Sequence, residues 1–267
     1  MRALVIVNLC LLAGPALAAQ QLDLRNYRMV DLSHAFNAQT IYWPTSTERF
    51  VLKQQSFGET TGGYFYASNT LSTPEHGGTH LDAPIHFAAN RQFADQIPLE
   101  RLIAPAVVID VSARAAADAD YRLTVADVQA FERAHGRIPA GTIVLLRTDW
   151  SRRWPDKKAY LGDDKPGDAS DLHFPSFGVE ATRVLVLERQ AAALGIDAAS
   201  VDYGPSTDFM VHRIAYEANV PGFENLTNLD QLPATGAIVI ALPMKIERGS
   251  GGPLRAVALV PRPRGGQ

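Results

Sequence analysis

The chain has 267 residues, of which 46% are hydrophobic and 20% are charged, and its formal net charge is -3. This composition is ordinary for a globular protein, and it excludes a disordered chain, a collagen-like chain and a multi-span membrane protein. A strongly basic surface is also excluded, so we expect no nucleic-acid partner.

The N-terminus has the pattern of a secretory signal peptide. Arg2 supplies a positive charge, residues 3–17 are almost wholly apolar, and Ala16 and Ala18 are the small residues of a cleavage site. We therefore predict a signal peptide at 1–18, one domain at 19–267, a periplasmic or secreted location and no membrane association after cleavage. A buried first strand or helix is the alternative. The single cysteine falls within this segment, so the mature protein is expected to use no thiol as nucleophile or metal ligand.

The first half of the chain contains two strand signals and one helix signal. A short strand is predicted over 27–33, and a continuous β-branched run predicts a buried strand over 107–111. Thr124 is the expected N-cap of a helix, Asp127 completes a capping box, and Gly136 ends the helix.

The second half alternates strands and helices. Strands are predicted over 143–146, 198–202, 237–242 and 256–260. Helices are predicted over 179–194, closed by Gly195, and over 208–218, and the charged segment 151–172 is expected to lie outside the core. The alternation predicts a single α/β domain with a mixed sheet.

Three of the seven histidines lie close together in residues 75–86. Gly77 and Gly78 argue against a helix between His76 and His80, and favour a turn that brings both rings to one point. His80 and Asp82 are two residues apart, so in an extended chain they face the same way. Two imidazoles and a carboxylate suit Zn²⁺ or Mn²⁺, and His86 is delivered to the same neighbourhood. Isolated histidines are usually structural, but the clustering favours a metal site.

A second group of polar residues follows far downstream. His212 is expected in the first turns of the predicted helix over 208–218, and Glu224 follows a Pro-Gly turn. Each would ordinarily be a surface residue. They become candidate ligands because the first cluster needs further donors of these types.

The segment His76-x-Gly78-Thr79-His80-x-Asp82-x-Pro84-x-His86-Phe87 resembles the signature of the cyclase family of metal-dependent hydrolases, which includes isatin hydrolases and kynurenine formamidases. The resemblance extends from the Asp31-Leu32-Ser33-His34 motif to Glu224. It implies a swivelling β/β/α fold, with a mixed sheet or open barrel flanked by helices, and a homo-oligomer, either a dimer or a tetramer. The segment 202–209 is more similar to the isatin hydrolase branch.

The resemblance also implies roles for individual residues. His76, His80 and Asp82 would bind the metal, with Asp82 able to bridge two ions. His212 and Glu224 would complete the site, and His86 would act as the acid/base. Mn²⁺ and Zn²⁺, and one ion or two, remain open. The sequence has no G-x-S-x-G motif, so a serine nucleophile is not expected. Attack by metal-activated water is the expected route, with His86 passing a proton to the leaving nitrogen.

The aromatic-rich segment 41–66 suggests a flat small-molecule substrate. We select Trp43 and Phe65 as candidate substrate contacts, although most aromatics in such a segment belong to cores or interfaces. A small aromatic lactam such as isatin is the leading substrate, because an exported enzyme is at odds with cytoplasmic kynurenine formamidase activity. Kynurenine formamidase is the alternative enzyme, and a non-catalytic periplasmic metal- or ligand-binding protein is the alternative of another class.

Overall fold

A computed structural model describes residues 23–263, which form twelve β-strands and six α-helices. The signal peptide predicted at 1–18 lies outside the described residues. The strands are β1 (Tyr27–Asp31), β2 (Val51–Glu59), β3 (Phe65–Ser72), β4 (His80–Asp82), β5 (Ile103–Asp110), β6 (Arg122–Leu123), β7 (Ile143–Arg147), β8 (Ser176–Phe177), β9 (Ala193–Ile196), β10 (Gly222–Glu224), β11 (Ala237–Pro243) and β12 (Gly251–Pro261). The helices are α1 (Leu99–Leu102), α2 (Ser112–Ala117), α3 (Val125–His135), α4 (Lys157–Leu161), α5 (Val179–Arg183) and α6 (Met210–Glu217). Within residues 23–263, none of the helices combines the length and apolarity needed to cross a membrane.

Seven of the strands close into a mixed barrel. Its order is β12-β11-β5-β7-β9-β10-β4, and β4 pairs back onto the start of β12, while β1 adds to the far half of β12. The pairs β5–β7, β7–β9 and β9–β10 are parallel, and the others in the ring are antiparallel. The predicted α/β class with a mixed sheet is confirmed.

Alternation along the strands divides the apolar residues between two cores. In β7, Ile143 and Leu145 belong to the cluster that fills the barrel, whereas Val144 and Leu146 belong to the cluster beneath the helices. Alanines from β5, β11 and β12 line the barrel interior, as expected where strands converge on a narrow centre. The functional residues lie on the side of the cluster beneath the helices.

The capping box predicted for α3 is confirmed. The Thr124 side chain accepts a hydrogen bond from the Asp127 backbone N–H, Asp127 accepts in return from Thr124, and Gly136 follows the last helical residue. Phe131 packs this helix against the apolar cluster beneath the helices.

Two predicted elements are wrong. The helix expected over 179–194 ends as α5 at Arg183 and continues as a wider π turn to Glu188, and Gln190 then takes a positive φ of 53°. Gly195 does not close a helix but lies in β9, where an added Cβ would come within 2.6 Å of the Leu145 side chain. The strand expected over 198–202 is an irregular loop that leads into the site.

A hairpin that the sequence did not predict projects from the barrel. Within residues 23–263, β2 and β3 pair only with each other, and nearly all their side chains are exposed. The segment shows no clear alternation of apolar and polar residues because neither face is buried, and that alternation is the main strand signal.

Candidate metal centre and active site

A cavity of about 260 Å³ lies outside the barrel wall where β4, β10 and α6 meet. Its lining combines charged donors with large apolar side chains: Ile41, Tyr42, Trp43, His76, Gly77, His80, Asp82, His86, Phe87, Leu161, Ala199, Ser200, Phe209, His212, Glu224 and Asn225.

Strand geometry places three of the donors. Leu81 belongs to the cluster that fills the barrel, so its neighbours His80 and Asp82 face the cavity. β10 pairs with β4 antiparallel, and Glu224 lies directly opposite His80 on the same face. His80 Nε2 is 3.1 Å from Asp82 Oδ1 and 3.5 Å from Glu224 Oε2.

A glycine turn brings His76 to the same point. Gly77 and Gly78 have φ values of 132° and 57°, which side-chain-bearing residues rarely adopt, and a Cβ on Gly77 would lie 2.1 Å from the Tyr42 ring. The turn leaves His76 Nδ1 2.6 Å from Asp82 Oδ1. The sequence prediction of a turn that folds both rings together matches this arrangement.

His212 enters from the first turn of α6. The Asp202 carboxylate accepts hydrogen bonds from the backbone N–H groups of Val211 and His212, both at 3.0 Å, and so holds the start of the helix. His212 Nε2 then lies 3.3 Å from Asp82 Oδ2 and 3.4 Å from Glu224 Oε1.

Each imidazole in this cluster has its outer nitrogen occupied. His80 Nδ1 is 2.9 Å from the Gly78 carbonyl oxygen, His212 Nδ1 is 2.6 Å from Asp202 Oδ2, and His76 Nε2 is 2.9 Å from Ser250 Oγ. Such partners fix the tautomer and orientation of metal-binding histidines. The nitrogens turned inward are therefore the ones free to bind a cation.

The residues fit a divalent metal. Two overlapping groups share Asp82, one with His76 and His80 and one with His212 and Glu224, and within each group the ligand atoms lie within 4.8 Å of one another. Among the described residues, 23–263, the buried His80 Nε2 has no hydrogen-bond partner, as expected of a ligand atom. Imidazole and carboxylate donors suit Zn²⁺ or Mn²⁺, and the shared carboxylate allows either one ion or two.

Neighbouring charges shift the pKa values of the residues in this cluster. Burial alone would lower the pKa of His80, but the close contact with Asp82 and the charges of Asp82 and Glu224 outweigh it and raise the pKa to about 9. Burial would raise the pKa of Asp82, but His76, His212 and His80 hold it well below its usual range. The site therefore favours positive charge next to its carboxylates.

His86 stands beside this cluster but outside both ligand groups. His86 lies at the end of the turn Pro84–His86, and its ring stacks on that of His76, with centroids 3.8 Å apart and planes at 17°. Burial, reinforced by the neighbouring histidines, lowers the pKa of His86 to about 4, against the opposing effect of Asp82. The side chain is thus neutral at physiological pH and borders the cavity.

The two aromatic residues predicted to contact substrate have different positions. Trp43 lines the cavity and makes edge contacts with Phe174 and Phe209, at centroid distances of 6.3 Å and 6.4 Å. The structure does not bring Phe65 to the cavity: it lies on β3 of the projecting hairpin, is 54% exposed and contacts Phe57. Its place in the cavity wall is taken by Phe209 and Phe87.

Sequence reasoning missed several contributors. Tyr216 donates a hydrogen bond from its hydroxyl to Asp82 Oδ2 at 2.9 Å. It follows His212 by four residues on α6, so helical spacing could have revealed it. Asp202 is separated from its partner His212 by an irregular loop, and Ser250 lies 174 residues after His76, so neither contact follows from local spacing.

The barrel and its buried cluster of His, Asp and Glu define a candidate metalloenzyme. The model of the Cyclase family matches residues 30–203. The chain is 41% identical over 208 residues to an isatin hydrolase of Roseibium aggregatum, covering 75% of this chain and 77% of the relative. It is 29% identical to a kynurenine formamidase of Salinibacter ruber, over 86% and 96% of the two chains. The solved structure of isatin hydrolase A from Ralstonia solanacearum superposes with a TM-score of 0.81 at 38% identity, over 88% and 93% of the chains. The chain belongs to the Cyclase family, as its histidine motif predicted.

Proposed function

We propose that the protein is a metal-dependent hydrolase that opens a cyclic amide bond in a small aromatic lactam, with isatin as the leading substrate. The observation that carries this proposal is the cavity itself. A cluster of imidazole and carboxylate donors faces a space walled by Trp43, Phe87 and Phe209. Aromatic walls suit a flat ring, and the donors are placed to act on a polar bond attached to it.

A divalent cation held by His76, His80, Asp82, His212 and Glu224 would polarise a substrate carbonyl and make water available as a nucleophile at neutral pH. His86 has the position and protonation state of a general base, since it is neutral and borders the cavity without belonging to the ligand groups. It accepts a proton from the attacking water and delivers it to the departing nitrogen. Tyr216 keeps Asp82 oriented through its hydrogen bond.

The relatives support this substrate class. The isatin hydrolase of Roseibium aggregatum is more similar to this chain than the kynurenine formamidase of Salinibacter ruber, at 41% against 29% identity. Arylformamidase activity is the second candidate, because that formamidase matches over 96% of its length.

One experiment separates these activities. The purified protein, loaded with Mn²⁺ or Zn²⁺ in turn, is supplied with isatin or with N-formylkynurenine, and consumption of each is followed spectroscopically. We expect metal-dependent ring opening of isatin at a kcat/KM well above that for N-formylkynurenine. The reverse preference would assign the formamidase activity, and no turnover of either would favour a non-catalytic binding protein.

We also propose export by the signal peptide at 1–18, leaving a domain over 19–267. The support is the charge and hydropathy pattern of the N-terminus. N-terminal sequencing of protein recovered from the periplasm or medium of the native host should find a start at or near Ala19. An intact Met1 on protein from the soluble cytoplasm would contradict this proposal.

We further propose that the protein is a homo-oligomer. An isolated two-stranded hairpin is at best marginally stable in water, yet β2 and β3 expose Leu52, Phe57, Phe65 and Leu71, each more than half accessible. Covering this hairpin with a second copy would bury them. Light scattering should give a dimer or tetramer, and Phe57→Asp should shift it toward monomer, whereas a monomeric wild type would refute the proposal.

A further inference from the structure

We infer that Ser250 and Glu75 form a relay that fixes the tautomer and orientation of His76, and so tune the affinity of the metal centre. The inference rests on the metal site of the proposed function but is independent of which substrate the enzyme hydrolyses. Neither residue lines the cavity, and Ser250 reaches the site through the contact of its hydroxyl with His76 Nε2.

Ser250 is held in place by three hydrogen bonds. Its backbone N–H donates to Glu75 Oε2 at 3.0 Å, and its hydroxyl donates to the same oxygen at 2.5 Å. Its carbonyl accepts from the Ala83 N–H at 2.8 Å. The next residue, Gly251, pairs with Asp82 in the barrel, so the serine is anchored beside a candidate ligand.

The direction of these bonds determines which group donates in the contact between His76 and Ser250. An ionised carboxylate can only accept, so the Ser250 hydroxyl proton is directed to Glu75. The Ser250 oxygen, 2.9 Å from His76 Nε2, must then accept from that nitrogen. Nε2 therefore carries a proton, and Nδ1, 2.6 Å from Asp82 Oδ1, is the ring nitrogen turned toward the metal position.

The backbone next to Ser250 is shaped to seat the same ring. A Cβ on Gly251 would lie 2.6 Å from His76 Cε1, so the imidazole packs directly on the backbone of this glycine. The ring also stacks on that of His86. His76 is only partly buried, unlike His80 and His212, so it depends most on this support.

Metal binding to purified apoprotein tests the relay. Mn²⁺ and Zn²⁺ are titrated into wild type, Ser250→Ala, Ser250→Thr, Glu75→Gln and the surface control Ser170→Ala. Loss of a hydrogen-bond partner behind a ligand typically costs about 10–100-fold in metal affinity. We expect this loss for Ser250→Ala, a smaller loss for Glu75→Gln, partial restoration in Ser250→Thr, and no change in Ser170→Ala.

Thermal unfolding of each variant with and without metal separates this role from a merely structural one. A tenfold weaker Kd removes about 1.4 kcal/mol of metal-derived stabilisation, so the gain in Tm on adding metal should shrink in Ser250→Ala. If Ser250→Ala does not fold, Glu75→Gln carries the test. If Ser250→Ala and Glu75→Gln are less stable but bind metal as tightly as Ser170→Ala, the relay is refuted. If wild type itself binds no metal, the metal centre of the proposed function fails instead.

Discussion

Proton transfer by His86 can be separated from metal binding with two substitutions. His86→Ala removes the whole ring, whereas His86→Phe removes both ring nitrogens but keeps an aromatic surface stacked on His76. If His86 moves a proton, both variants should lose turnover to a similar extent. If it only supports the His76 ring, the Phe variant should retain most of the activity.

The size of the expected effect follows from the position of His86. It belongs to neither group of candidate ligands, so coordination should survive its loss. A positioned acid/base typically contributes about 10²–10⁴-fold in rate, or about 3–5 kcal/mol of barrier. The stacking contact is worth only about 0.5–1.5 kcal/mol, too little to account for such a loss.

The assay is steady-state hydrolysis of isatin, with bound metal measured on the same samples by elemental analysis. We expect kcat to fall by about 10²–10⁴-fold in both variants while the metal content stays near that of wild type. Equal loss of metal and activity would make His86 a ligand. Turnover within a factor of a few of wild type would remove it from the mechanism and leave the proton of the departing nitrogen without an evident donor.

Two further substitutions test the site and the fold. His80→Ala should abolish stoichiometric metal and activity together, because it removes a buried donor of the group formed with His76 and Asp82; full metal content in this variant would refute its assignment as a ligand. Burial lowers the pKa of His34 from 6.5 to about 4, so its neutral form stabilises the fold above pH 6.5 and this stabilisation is lost as the pH falls. Between pH 7 and pH 5, protonation of His34 should therefore cost wild type about 2 kcal/mol of unfolding free energy. The variant His34→Phe keeps an aromatic ring stacked on Trp154 and should not show this loss. Denaturant titrations of both proteins at the two pH values measure the difference. An unchanged pH dependence in the variant would refute this reading of His34.

Local spacing was sufficient to predict the first half of the metal cluster. His80 and Asp82 share a face because they are two residues apart in a strand, and His76 joins them through a turn that its glycines signal. The opposition of Glu224 to His80 depends on the pairing of β4 with β10, which no local pattern reveals. Family resemblance supplied that residue, and the register of the sheet explains it.

The errors in secondary structure have two different physical origins. The alanine-rich segment before Gly195 has high helix propensity, yet it forms β9 because it pairs with β7 inside a closed barrel. Tertiary pairing thus overrides local preference. The hairpin β2–β3 was not predicted for a different reason: it has no buried face, so its sequence lacks the alternation of apolar and polar residues that indicates a strand.

The same distinction explains why Trp43 and Phe65 could not be separated by sequence. Both come from one aromatic-rich segment and have similar chemistry. Trp43 reaches the cavity because it packs on Phe209, just before α6, whereas Phe65 is paired on a hairpin that leaves the barrel. Composition identifies which residues could contact a flat substrate, but the contact is decided by partners that are remote in the chain. Phe209 packs on Trp43 in the cavity wall, and it immediately precedes α6, the helix that carries His212. One short segment therefore supplies both an aromatic wall and a candidate ligand.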